Sequence, residues 1–137
     1  MQISRTVMWY LRMSVVYLVI GTTLGAYMGL GYAGILPGQD PSEGMVLVHV
    51  HLLLVGFVSM MIFGISYHVL PRFAGRGPDP YSPRAAVVQF WVLNAGLVAF
   101  AAGLWTGSAW AIATGGVLML SGMYIYAWNV WRTLSAD

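Results

Sequence analysis

Four long apolar runs separated by short polar breaks make up most of the chain. The first extends from about Val7 to Gly34 and stops at Leu36-Pro37-Gly38. A polar break, Gln39-Asp40-Pro41-Ser42-Glu43, follows. Ser42 suits an N-cap, and Glu43 suits the positive end of the next helix. That second run reaches from about Glu43 to Leu70, with Pro71 at its exit. The stretch Arg72 to Arg84 is the longest polar break, and its prolines and glycines prevent a continuous helix. A third run covers about Ala85 to Trp105. Thr106-Gly107-Ser108 forms a tight turn before the fourth run, about residues 109–131. Each run is long enough to cross about 30 Å of hydrocarbon as a helix, which takes roughly 20 residues. The expected fold is therefore all-α: an integral membrane four-helix bundle, one domain over residues 1–137.

Composition agrees with lipid as the solvent. Of the 137 residues, 59% are hydrophobic and 7% charged, whereas a soluble domain carries roughly a quarter charged residues. There is no cysteine, which excludes disulfides, thiolate metal sites and cysteine nucleophiles. A net charge of +2 on scattered arginines speaks against a nucleic-acid partner. Six Trp and eight Tyr fit aromatic belts at two membrane interfaces. The N-terminal segment to Arg12 resembles a signal-peptide n-region, but the following run is too long for a cleaved core and reads as a retained helix.

The arginines suggest an orientation. Arg5 and Arg12 precede or open the first run, Arg72, Arg76 and Arg84 lie in the second break, and Arg132 is C-terminal. The first and third breaks hold none. The positive-inside rule then places both termini and the long loop in the cytoplasm, with the chain in a bacterial- or archaeal-type inner membrane. Gly21, Gly25 and Gly29, four apart, form a small-residue face on the first helix for packing within the protomer, or between protomers.

All three histidines, His49, His51 and His68, fall on the second helix. An ionisable residue inside a membrane span is a functional-site hypothesis by default. His49 and His51 sit near the outer boundary, and His68 is a further ~26 Å along at the cytoplasmic end. Positions i and i+2 point about 200° apart, so His49 and His51 cannot ligate one metal from the same side. They can serve two sites on opposite faces at one depth. If a metal takes two histidines at that level, the second comes from another chain; Met28, Met45 and Met119 are the intramolecular alternatives. His49 and His51 are the leading metal-ligand candidates and His68 a further one; the structural alternative makes His49 an interface residue, His51 a hydrogen-bonded packing residue and His68 a residue of the cytoplasmic interface.

His49-Val50-His51, followed by Gly56-Phe57, Phe63-Gly64, Tyr67 and Leu70-Pro71-Arg72, resembles the tenth helix of the catalytic subunit of heme-copper oxidases. The likeness is to the branch containing C-type oxidases and nitric oxide reductases, with a weaker similarity to membrane proteins of nitric-oxide response. It implies that His49 would match the ligand of a high-spin heme and His51 that of a low-spin heme. The family's His-Pro-Glu motif, His-His pair, other low-spin ligand helix and outer arginine pair have no match in this sequence. A single copy therefore cannot build the family's heme-copper centre. The family's catalytic subunit has twelve helices in three groups of four, with ligands on the second helix of each group. The resemblance implies a symmetric homo-oligomer, a homotrimer in the favoured form, with b-type heme held by His49 of one chain and His51 of the next. Copper is the alternative metal, and imidazole suits it. Tyr32, Trp105, Trp110 and Thr106 are outer-side candidates for heme propionates.

The leading functional expectation is a membrane cytochrome for electron transfer, with a quinol or an external redox partner. The alternatives are an open heme that binds oxygen or nitric oxide, and a non-redox accessory or assembly subunit of a respiratory complex. No catalytic acid or base stands out, because Asp40, Glu43, Asp79 and Asp137 all map to loops or ends. Polar residues at depth are limited to Ser14, Thr22, Thr23, Ser59, Ser66, Gln89, Asn94 and Ser121, which argues against proton pumping.

Overall fold

A computed structural model describes residues 3–36, 41–73 and 81–135. Four helices in it are long and apolar enough to cross a membrane, and the chain is all-helical. The first span is α1 (Arg5–Tyr32). The second is a composite of α2 (Glu43–His51), a π-helical segment (Leu52–Ser59) and α3 (Met60–Phe73). The third is α4 (Pro83–Thr106), and the fourth is α5 (Ala109–Leu134). The parts of the first and second breaks at residues 37–40 and 74–80 lie outside the described residues.

The same device starts every span. Ser4, Ser42, Ser82 and Ser108 each sit at an N-cap and accept a hydrogen bond from the backbone N–H three residues on, at 3.2 to 3.4 Å. Each cap satisfies one of the four backbone donors that a helix start leaves free. Gly107 ends α4 at φ 72°, the left-handed conformation that glycine adopts without a Cβ clash. The second span does not stop at Pro71 as its sequence suggests, but runs to Phe73. Pro71 falls in the last turn, where a missing N–H and one disturbed carbonyl can be accommodated.

Packing is built on close approaches at glycine. The tightest seam joins α4 to α5. A methyl group placed at Gly115 would lie 2.4 Å from Phe100 N and 2.7 Å from Gly96 O, both backbone atoms. At Gly103 it would meet Ile112 N at 2.6 Å. Between α1 and the second span, ring and glycine exchange places. His49 lies over Gly25 near one end, while Tyr17 lies over Gly56 and Tyr10 over Gly64 toward the other. Small residues let backbones approach closely where lipid supplies no hydrophobic drive. The face expected on α1 is thus used within the protomer at Gly21 and Gly25, whereas Gly29 has nothing within 4 Å.

Buried polar groups lock these contacts. Tyr17 donates to Asn94 Oδ1 at 2.7 Å, and Asn94 Nδ2 donates to Phe90 O at 2.7 Å. Tyr10 donates to Ala86 O at 2.9 Å, and Tyr67 donates to Gln89 Oε1. Asn129 of α5 clasps Ser82 from both sides, accepting from its N–H at 2.9 Å and donating to its carbonyl at 3.1 Å. That clasp holds the start of the third span against the end of the fourth. Thr22, Thr23 and Ser121 instead return their hydroxyls to carbonyls of their own helix and face outward. The second span meets α4 through α2, the π segment and the Tyr67 bond to Gln89, and meets α5 through α3.

Candidate functional site

The two outer histidines leave the second span in different directions. His49 turns toward α1 and bonds Gly21 O through Nδ1 at 2.8 Å, its ring filling the space above Gly25. His51 bonds Leu47 O through Nδ1 at 2.8 Å and lies against Phe100 of α4, with ring centroids 4.4 Å apart. Both are half-buried. A carbonyl can only accept, so each Nδ1 must carry the proton. In its neutral form each ring presents an Nε2 lone pair, and Nε2 has no partner among the described residues. This is the tautomer a metal ligand needs, with the ring oriented by its other nitrogen. The donor set fits one axial imidazole per iron on either side of the helix.

Between the two rings runs an uncovered apolar strip. Val48 is buried toward the bundle, while Leu47, Val50 and Leu54 are exposed on the opposite side of the helix. Directly after His51 the backbone widens into the π segment Leu52–Ser59, and Ser59 returns its hydroxyl to Leu54 O, five residues back, at 2.9 Å. Wide turns of this kind are rare and recur at functional sites. Proximity in sequence announced neither this turn nor the contact with Phe100; the aromatic at Phe100 carried no spacing signal relative to His51.

The third histidine is engaged differently. His68 faces Arg72 one turn on, and the guanidinium donates to its Nε2. That contact occupies the lone pair a metal would use. Met119 is buried in the α4–α5 seam beside Gly96, and Met28 is buried on α1. Tyr32, Trp105 and Trp110 are largely exposed at the end of the bundle that carries His49 and His51, and Thr106 bonds Ala102 O in its own helix. Among the described residues no three His, Asp or Glu side chains converge on one point.

Comparison with known proteins follows the same lines. The family model described as cytochrome C and quinol oxidase polypeptide I matches residues 5–136. The chain belongs to this family. It is 26% identical to the Cbb3-type cytochrome c oxidase subunit CcoN1 of Stutzerimonas stutzeri, over 64% of this chain and 25% of that protein. It is 30% identical to cytochrome c oxidase subunit 1 of Rhodobacter capsulatus, over 64% of this chain and 22% of that one. Against a nitric oxide reductase chain of Stutzerimonas stutzeri the identity is 28%, over 58% of this chain and 19% of that protein. The chain spans about a quarter or less of the length of these curated relatives. No solved structure matches it. The protein is thus a membrane protein related to the respiratory oxidases.

Proposed function

We propose that this protein is a b-type membrane cytochrome in which each heme is held between two protomers, by His49 of one and His51 of the next. One observation carries the reading. Both rings offer Nε2 from opposite flanks of one helix, each with Nδ1–H fixed on a backbone carbonyl. Two imidazoles so disposed cannot meet on one iron within a protomer, and a cyclic assembly brings unlike flanks together. The exposed strip Leu47, Val50 and Leu54 supplies an apolar surface between those flanks for neighbouring copies. A homotrimer would repeat the four-helix unit three times around one axis.

Held by His49 and His51 together, a heme would supply one-electron transfer rather than gas chemistry. The carbonyls of Gly21 and Leu47 orient the imidazoles through Nδ1, and Phe100 shields one face of His51. The redox partner in this reading is a quinol or an external donor. The exposed apolar faces of the helices also fit a second reading, an accessory subunit that packs against a larger respiratory complex.

An oxidised and a reduced absorption spectrum of the purified protein tests the proposal, with His49→Ala and His51→Ala beside it. Sharp reduced bands of six-coordinate b-type heme, lost in either variant, are the expected outcome. Bands that shift with carbon monoxide in the wild-type protein point to an open heme instead. A colourless protein of normal yield removes the heme and leaves the accessory reading.

A further inference from the structure

We propose that the arginine-bearing end of α1, together with the cleft between α1 and α4, binds one glycerophospholipid with a net-negative headgroup. The site stands apart from the histidines and does not depend on their role. A cleft of about 710 Å³ opens between the two helices, with Trp9 and Met13 on one wall and Trp91 and Val98 on the other. At Arg12 it joins a second hollow of about 720 Å³ bounded by Arg5, Met8, Trp9 and Arg12. One hollow is apolar and the other is basic, in the order that a lipid tail and head require.

Charge identifies the head. Arg5 and Arg12 are exposed, and neither has an ion-pair partner among the described residues. The first turn of α1 holds no acidic side chain, although that end of a helix favours negative charge. Arg5 stands at the positive end of the helix dipole, and Arg12 lies two turns on along the same face. Their separation of seven residues is about 10 Å along the axis, the scale of a headgroup. A zwitterionic head would bring its own cation to two arginines that have no carboxylate beside them among the described residues. Guanidinium pairs well with phosphate through parallel N–H donors.

The cleft identifies the tail. Its deep polar groups are already committed, since Tyr17 donates to Asn94 at 2.7 Å. Trp9 and Trp91 stand edge to face at its mouth, with ring centroids 6.4 Å apart, in the interfacial position that indoles prefer. The groove continues past Tyr17 and Val98 to Ile20. From Arg12 to Ile20 is about 12 Å, close to the depth of a single leaflet. That length suits an acyl chain entering from one side.

The test reconstitutes the full chain in phosphatidylcholine vesicles containing a minor fraction of brominated phosphatidylglycerol or, in parallel, brominated phosphatidylcholine. Quenching of tryptophan fluorescence reports the lipid occupying the cleft. Brominated phosphatidylglycerol should quench more strongly at equal mole fraction, and each arginine should contribute roughly a fivefold preference. Arg5→Gln with Arg12→Gln should abolish the difference, and Trp9→Phe with Trp91→Phe should remove the excess quenching. Arg132→Gln, whose guanidinium lies 4.6 Å from the Trp128 ring, should leave it unchanged. Equal quenching by both lipids in the wild-type chain overturns the proposal. So does a preference that survives the double arginine substitution, or one that falls equally in Arg132→Gln.

Discussion

Replacing Gly115 with alanine should be among the most damaging single-methyl additions to this protein, while the same change at Gly116 should slightly stabilise it. The new methyl at Gly115 would stand 2.4 Å from Phe100 N and 2.7 Å from both Phe100 Cα and Gly96 O. Comfortable contact needs about 3.5 Å, so the deficit is about 1 Å. All three obstacles are backbone, so no rotamer change relieves them and α4 and α5 must move apart. Overpacking of this kind costs roughly 1–3 kcal/mol. Part of that is offset by the better helix propensity of alanine, at most about 1 kcal/mol. At Gly116 nothing lies within 4 Å, so only the propensity gain remains. The two variants should therefore differ by about 2 kcal/mol, roughly thirtyfold in the folded-to-unfolded ratio. Unfolding in mixed micelles of rising sodium dodecyl sulfate content, followed by tryptophan emission, measures that gap. If Gly115→Ala unfolds within about 0.5 kcal/mol of Gly116→Ala, the proposed tight α4–α5 seam is wrong.

Three further outcomes follow from the geometry. Gly25→Ala would set a methyl 2.6 Å from His49 Cε1 and push the ring off Gly21 O, so under the proposed heme ligation it should reduce heme-band absorbance toward that of His49→Ala, with Gly29→Ala as the unaffected comparison. Tyr17→Phe removes the donor to Asn94 Oδ1 and should destabilise the bundle by about 1 kcal/mol in the same detergent titration. Asn129→Ala releases both hydrogen bonds to Ser82 and should accelerate proteolysis at the start of the third span; unchanged cleavage would show that the clasp is dispensable.

Much of the fold was legible because lipid enforces it. A segment that must satisfy every backbone group internally becomes a helix, and hydropathy alone then locates it. Ser42 announced its own cap, and Gly107-Ser108 announced the last turn. The opposed directions of His49 and His51 also followed from helical periodicity. Other features depended on which helices become neighbours. Glycines four apart drew attention to α1, yet the closest backbone approach joins Gly96 and Gly103 of α4 to Gly115 and the residues around it on α5. Their spacing of seven was visible, but many glycine pairs share it and only tertiary contact selects one. Tyr17 and Asn94, 77 positions apart, carry no joint signal in one sequence. The π segment was hidden because an apolar run reads alike whether its carbonyls accept from four or five residues on.

That wide turn divides the second span into two separately keyed pieces. The outer piece sets the azimuth of His49 and His51; the inner piece sets that of Phe63 and Tyr67 against Tyr126. Between them, Leu52–Ser59 holds surplus backbone. Removing a single residue there would restore ordinary winding and rotate one piece against the other, so that either the imidazoles or the inner aromatic ring cluster would face the wrong neighbour. Point changes in either half leave the phase of the other intact, whereas a change of length couples them. The segment is the spline of the molecule, intolerant of a slipped tooth.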